Sequence, residues 1–174
     1  RSVCTGVAEA LGVTADEGVI KNAYMGRTYI IDDAGYRKIA SDLKHNIIRE
    51  TVEGKHVVIT DDSIVRGTVS ESIAQNLLKA GAREVDFLVS YAPIFHPCFS
   101  DPPDKPLAAK PYKGGSLEEL GDLVARGLPS IHKVRYNSEE NVLSAVGLPR
   151  DHICIQCVSG RSPFKERDEP TRTT

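Results

Sequence analysis

The sequence predicts an α/β fold, a mostly parallel sheet with helices on both faces. Three observations carry this. The run KHVVIT at 55–60 is short, apolar and β-branched, the pattern of a buried central strand. Ile73, Ala74, Leu77 and Leu78 then recur at helical spacing within 69–80, and Gly81 stops the run. EVDFLVSYAPI at 84–94 reads as the next strand. Strand, helix and strand in such close succession make a right-handed βαβ unit, which requires parallel strands.

The remaining elements follow in order. Val3, Val7, Ala8 and Leu11 share one helical face over 3–11, and Gly12 ends it. Residues 17–31 are mixed, with a short strand expected at 28–31. Ala40, Leu43, Ile47 and Ile48 stand at helical spacing among many charges. They predict a modest helix within 32–50, or a loop that becomes helical on binding. Thr68 with Glu71 three positions on reads as a capping box, so the next helix should begin at Thr68. DPPDKPLAAKPYKGG at 101–115 holds four prolines and reads as an extended loop outside the core. SLEELGDLVARGL at 116–128 is amphipathic, with Leu117, Leu120 and either Leu123 or Val124 inward. EENVLSAVGL at 139–148 is a further short helix. RSPFKERDEPTRTT at 161–174 is a polar tail, expected to be disordered. No repeat or second domain is visible, so the expected organisation is one domain over 1–160 and a tail over 161–174.

The 174 residues are 40% hydrophobic and 6% aromatic, without tryptophan, the composition of a soluble α/β domain rather than a disordered chain. The net charge is −2 and no basic block stands out, which argues against a nucleic-acid partner. No apolar run approaches membrane-spanning length. The chain opens on Arg1 and runs directly into a helical pattern, without a signal peptide; it is expected to be a fragment of a longer protein. Its four cysteines, Cys4, Cys98, Cys154 and Cys157, are too few to act as a framework for a chain with this much core. A reducing, cytoplasmic setting is expected.

The stretch HVVITDDSIVRGTVSES at 56–72 carries the chemistry. In a parallel α/β sheet, ligands bind beyond the carboxyl ends of the strands. The strand delivers Asp61 and Asp62 to that edge, and the next residues turn into a helix. Free N–H groups and the dipole at a helix start favour an anion, above all a phosphate. Gly67 allows close backbone approach, and Thr68 adds a hydroxyl. Ile64–Thr68 therefore reads as an anion cradle one step beyond an acidic pair. A sugar phosphate fits both, its hydroxyls or a Mg²⁺ bound to them facing the acids. Solvated turn residues before a helix are the alternative reading of the same spacing.

VVITDDSIVRGTVS resembles the phosphoribosylpyrophosphate motif of type I phosphoribosyltransferases, and DDSIVRGT is similar to the version found in amidophosphoribosyltransferases. EGVIKNAYMGRTYI (17–30), LKHNIIRETVEGK (43–55), LLKAGAREVDFLVSYAPIFHPCF (77–99) and CIQC (154–157) resemble the same family in order and spacing. The resemblance is close over about 7–100 and weak over 101–150. It implies the type I phosphoribosyltransferase fold and transfer of the phosphoribosyl group of phosphoribosylpyrophosphate to ammonia derived from glutamine. The products are 5-phosphoribosylamine and pyrophosphate, in purine synthesis. By resemblance, Asp61 and Asp62 hold the ribose hydroxyls directly or through Mg²⁺. Ser63, Ile64, Val65, Arg66, Gly67 and Thr68 hold the 5-phosphate. Lys21 meets pyrophosphate, and Arg27 and Lys44 lie in or beside a closing loop. A glutaminase domain upstream and a homo-oligomer are further implied partners.

The match has departures. Val69 stands where the family has Thr, and His45 where it usually has Leu. The family's first core strand and pyrophosphate loop precede the point where this chain begins, as does its glutaminase domain, and Cys4 does not match the glutaminase nucleophile.

The pair Cys154–Cys157 fits zinc, an iron–sulfur cluster, a redox dithiol or two ordinary thiols. A position near the chain end argues against a thioredoxin-like role. By resemblance, Cys98, Cys154 and Cys157 match three ligands of a structural [4Fe–4S] cluster whose fourth ligand lies upstream. His96, His132 and His152 lie near these cysteines in sequence and are not assigned as ligands. Two other functions fit the same fold: a different type I phosphoribosyltransferase, or a non-catalytic module that senses phosphoribosylpyrophosphate.

Overall fold

The computed structural model describes residues 2–21, 45–98 and 106–161. Its centre is a three-stranded parallel sheet in the order β3–β4–β5, with β3 at His56–Asp61, β4 at Glu84–Val89 and β5 at Lys133–Tyr136. Register runs from His56 opposite Glu84 to Asp61 opposite Val89, and from Asp86 opposite Lys133 to Val89 opposite Tyr136. Helix α3 (Thr68–Lys79) connects β3 to β4, and α4 (Leu117–Arg126) precedes β5. The expected βαβ unit is therefore present.

β4 lies in the middle and alternates strictly. Val85, Phe87 and Val89 are buried, while Glu84, Asp86 and Leu88 are half-buried. Period-two alternation of this kind puts one set on each face. The buried set meets Ile73, Ala74 and Leu77 of α3 and Leu120, Val124 and Ala125 of α4 in one core. β3 departs from expectation. Val58 is 42% exposed, because β3 is an edge strand among the described residues rather than a central one. Helix α1 (Ser2–Leu11) lies against β3 through a face that includes buried Ala8.

Several boundaries differ from the sequence reading, each for a local reason. His45–Ile47 is a strand, β2, paired antiparallel with β1 (Val19–Lys21), where helical spacing predicted helix; among the described residues that follow, α2 (Arg49–Val52) is helical. α3 begins at Thr68 as expected, but Gly67 is its cap residue and no side chain caps it. Glu71 instead accepts from the Ser130 hydroxyl at 2.6 Å and the Ser130 N–H at 3.2 Å, so the expected capping box is replaced by a tie to the loop before β5. β4 stops at Val89, and residues 90–94 leave the sheet.

Leu107 and Ala109, expected outside the core, are buried, because Ala108 N–H donates to Val65 C=O at 2.9 Å and draws this turn onto the loop after β3. A capping box of Ser116 and Glu119 starts α4. Leu120 and Val124 turn inward from α4, whereas Leu117 is 37% exposed. Helix α5 (Glu139–Val146) matches its expected helix, and α6 (Gln156–Ser159) is a single turn. The expected strand at 28–31, most of the helix at 32–50 and nearly all of the tail lie outside the described residues.

Candidate functional site

β3 ends on Asp61, at the carboxyl edge of the sheet. The main chain there is held by the neighbouring strand. Asp61 C=O accepts from Ser90 N–H at 2.9 Å and from the Ser90 hydroxyl at 3.2 Å, and Asp62 C=O accepts from Tyr91 N–H at 3.1 Å. Asn137, just past β5, donates through Nδ2 to Ser90 C=O at 3.2 Å. The acidic doublet is thus fixed by all three strands.

Its side chains fold back on the bend. Asp61 Oδ1 accepts from Asp62 N–H at 2.9 Å, and Asp62 Oδ1 accepts from Ser63 N–H at 2.7 Å. These bonds orient both carboxylates through Oδ1. Burial raises the Asp61 carboxyl above its ordinary range; the Asp62 N–H opposes this, the Asp62 charge adds to it, and the Lys21 charge lowers it. Lys21, the last residue of β1, therefore stands within electrostatic reach of the doublet.

Beyond the doublet, Ile64 is 2% exposed and anchors the bend in the core, so only its backbone is available to a ligand. Gly67 has φ of +78°, and a Cβ there would stand 2.6 Å from Leu128 Cδ2. Only glycine fits that turn without strain. Glu71 N–H donates to Gly67 C=O at 2.8 Å, so the helix ladder begins there and the amides of its first turn have no intrahelical acceptor. Arg66 lines a cleft of about 320 Å³ with Ala108, Leu123 and Arg126, and that cleft includes neither Asp61 nor Asp62. The structure thus brings together Asp61, Asp62, Ser63, Gly67, Thr68 and Lys21. Arg27 and Lys44 lie outside the described residues.

The cysteine region is assembled separately. Phe95 and His96 N–H groups both donate to Cys157 C=O at 2.9 Å, which draws the segment leading to Cys98 against the chain end. Burial and hydrogen bonding to Cys157, with the nearby Cys154 charge, push the Tyr91 hydroxyl up to about 12. None of the four cysteines is in a disulfide. Among the described residues, the side chains that converge on a point fit for one ion are His56, Glu84, Asp86 and His132, not the cysteines. That quartet was not anticipated, since its members come from β3, β4 and the turn before β5, far apart in sequence.

A parallel sheet with an acidic doublet and a glycine-turned helix start at its carboxyl edge has the fold of the type I phosphoribosyltransferases. No family model matches the chain. It is 34% identical over 172 residues to an amidophosphoribosyltransferase from Synechocystis, covering 97% of this chain and 33% of that protein. Identity is 36% over 161 residues to the protein of that name from Methanocaldococcus jannaschii, covering 91% of this chain and 32% of that one. Among solved structures, the Bacillus subtilis glutamine phosphoribosylpyrophosphate amidotransferase complexed with ADP and GMP superposes with a TM-score of 0.71 at 35% identity, over 92% of this chain and 35% of that one. The chain is thus similar to amidophosphoribosyltransferases along nearly its whole length, and it spans about a third of the length of the curated relatives it matches.

Proposed function

We propose that this chain carries the phosphoribosyl-transfer site of an amidophosphoribosyltransferase. The observation that carries the reading is the pairing of Asp61–Asp62 with the Gly67 bend, both fixed at the carboxyl edge of β3. The ribose 2- and 3-hydroxyls face the doublet, and the 5-phosphate takes the amides of Ser63–Thr68. Ammonia attacks the anomeric carbon, the bond to pyrophosphate breaks, and pyrophosphate leaves with the bonding electrons; the attacking nitrogen then loses a proton. Positive charge grows on the ribose ring as the bond breaks, and the doublet orients that ring through its hydroxyls. Lys21, near enough to act on the Asp61 charge, would meet the negative leaving group, and Arg27 and Lys44 would complete the cationic set. The donor set suits Mg²⁺, because it offers two adjacent carboxylates whose backbone bonds from Asp62 and Ser63 N–H go to Oδ1 and not Oδ2. When bound, Mg²⁺ would neutralise charge on the leaving pyrophosphate.

Ammonia would come from a glutaminase domain elsewhere in the full protein, in a cytoplasmic homo-oligomer that makes 5-phosphoribosylamine for purine synthesis. Cys98, Cys154 and Cys157 would hold a [4Fe–4S] cluster with a fourth ligand from outside this chain. The docking of Cys157 onto residues 95–96 supports that reading. The test of the transfer site is ammonia-dependent release of pyrophosphate from phosphoribosylpyrophosphate. Asp62→Asn is expected to lose at least about tenfold in turnover, the scale of a lost electrostatic contact to the reacting sugar. Unchanged turnover would remove the doublet from the mechanism.

A further inference from the structure

The geometry points to a second, structural metal site at the opposite edge of the sheet, made by His56, Glu84, Asp86 and His132, for a divalent transition metal of the Zn²⁺ class. Each residue offers one donor atom, and the four lie within 4.8 Å of one another. His56 opens β3 directly opposite Glu84, the first residue of β4. Asp86 follows two positions on and so shares its face. His132 immediately precedes β5, held by its N–H bond to Val85 C=O at 2.9 Å. His56 Nε2 stands 3.0 Å from Asp86 Oδ2 and 3.3 Å from Glu84 Oε1. His132 Nδ1 stands 3.0 Å from Asp86 Oδ1 and 3.2 Å from Glu84 Oε1. Each imidazole nitrogen is therefore flanked by both carboxylates.

The imidazole-to-carboxylate separations of 3.0–3.3 Å are close to those of a tetrahedral ion, and the widest pair, within 4.8 Å, would draw in by side-chain rotation. With bonds of about 2.0–2.1 Å, neighbouring donors stand about 3.3 Å apart. Two imidazoles and two carboxylates suit Zn²⁺ or Co²⁺, whereas Mg²⁺ prefers an all-oxygen octahedron. Since β3, β4 and the residue just before β5 place the donors through backbone hydrogen bonds, the ion would staple β3 and β4 to the start of β5. The site is not the Mg²⁺ position of the transfer reaction. His56 and Asp61 are opposite ends of one strand, five steps of about 3.3 Å and so roughly 16 Å apart. The assignment stands whether or not the doublet binds phosphoribosylpyrophosphate.

The test is titration of the chelator-treated full chain with Co²⁺. The expected result is one equivalent bound with the intense visible d–d absorption of tetrahedral cobalt and no thiolate-to-metal charge-transfer band. His56→Gln and His132→Gln are each expected to weaken binding by more than about tenfold, whereas Asp62→Asn retains it. Both imidazoles are substantially exposed, 39% and 45%, so these variants fold, which a thermal melt verifies. In the same melts, Zn²⁺ is expected to raise the midpoint of the parent chain and leave both variants unmoved. A charge-transfer band, equal affinity in the histidine variants, or no bound equivalent would overturn the proposal. In the last case the quartet is a hydrogen-bonded cluster of two imidazoles and two carboxylates.

Discussion

Tyr136 ends β5 with its ring packed against the core, and its hydroxyl oxygen is buried with no hydrogen-bond partner among the described residues. Burial alone raises its ionisation far above the ordinary tyrosine value. The sign follows from linkage. The folded state keeps the proton where the unfolded chain releases it, so the stability this group contributes is complete below about pH 10 and is lost as pH rises above that. Tyr136→Phe removes both the unsatisfied hydroxyl and the alkaline loss. It is expected to stabilise by about 1 kcal/mol at neutral pH, the scale of an unpaired buried polar group. It should also flatten the decline in melting temperature above pH 10. Urea titrations at neutral and alkaline pH check both; a variant that declines as steeply as the parent would locate the alkaline sensitivity elsewhere.

Between elements, α4 approaches β5 closely at Gly121. A Cβ on Gly121 would collide with the backbone carbonyl of Val134. Alanine in a helix interior gains about 1 kcal/mol over glycine in propensity. Overpacking costs about 1–3 kcal/mol, and a strand carbonyl cannot rotate aside as a side chain does. The collision wins, so Gly121→Ala is expected to lower the melting temperature. Gly6→Ala in α1, where nothing lies within 4 Å of the added methyl, should raise it slightly. Equal shifts in thermal melts of the two variants would show that helix propensity, not packing, decides.

Elements were legible where one periodicity dominated. β3, α3 and β4 declared themselves through unbroken apolar spacing, and Asp61–Asp62 through the change from apolar to acidic at a strand end. β5 did not, because Lys133 and Arg135 flank a single buried Val134, and Arg135 is held by Asp122 at 2.9 Å and Glu118 at 3.1 Å on α4. β2 was hidden because Ile47 fits a helical stripe as well as a strand, and only its pairing with β1 separates the two. The metal quartet was illegible for another reason. Asp86 meets partners 30 positions before it and 46 after it, neighbours created by parallel register alone.

At the scale of the whole molecule, one sheet separates two chemistries. Imidazoles and carboxylates meet at its amino edge, and the acidic doublet with its helix start lies at its carboxyl edge. No described helix is long and apolar enough to cross a membrane. Among the described residues, much of the core lies between the sheet and helices α3 and α4, where Phe87 and Leu77 are fully buried. The amides of Ser90 and Tyr91 reach back from β4 to the carbonyls of Asp61 and Asp62. Those two protons cannot trade with solvent deuterium unless the grip on the doublet loosens. Their exchange rates, followed by NMR or mass spectrometry, therefore clock the opening of the acidic edge itself. Phosphoribosylpyrophosphate is expected to slow both, and a rate indifferent to saturating substrate would place the sugar elsewhere.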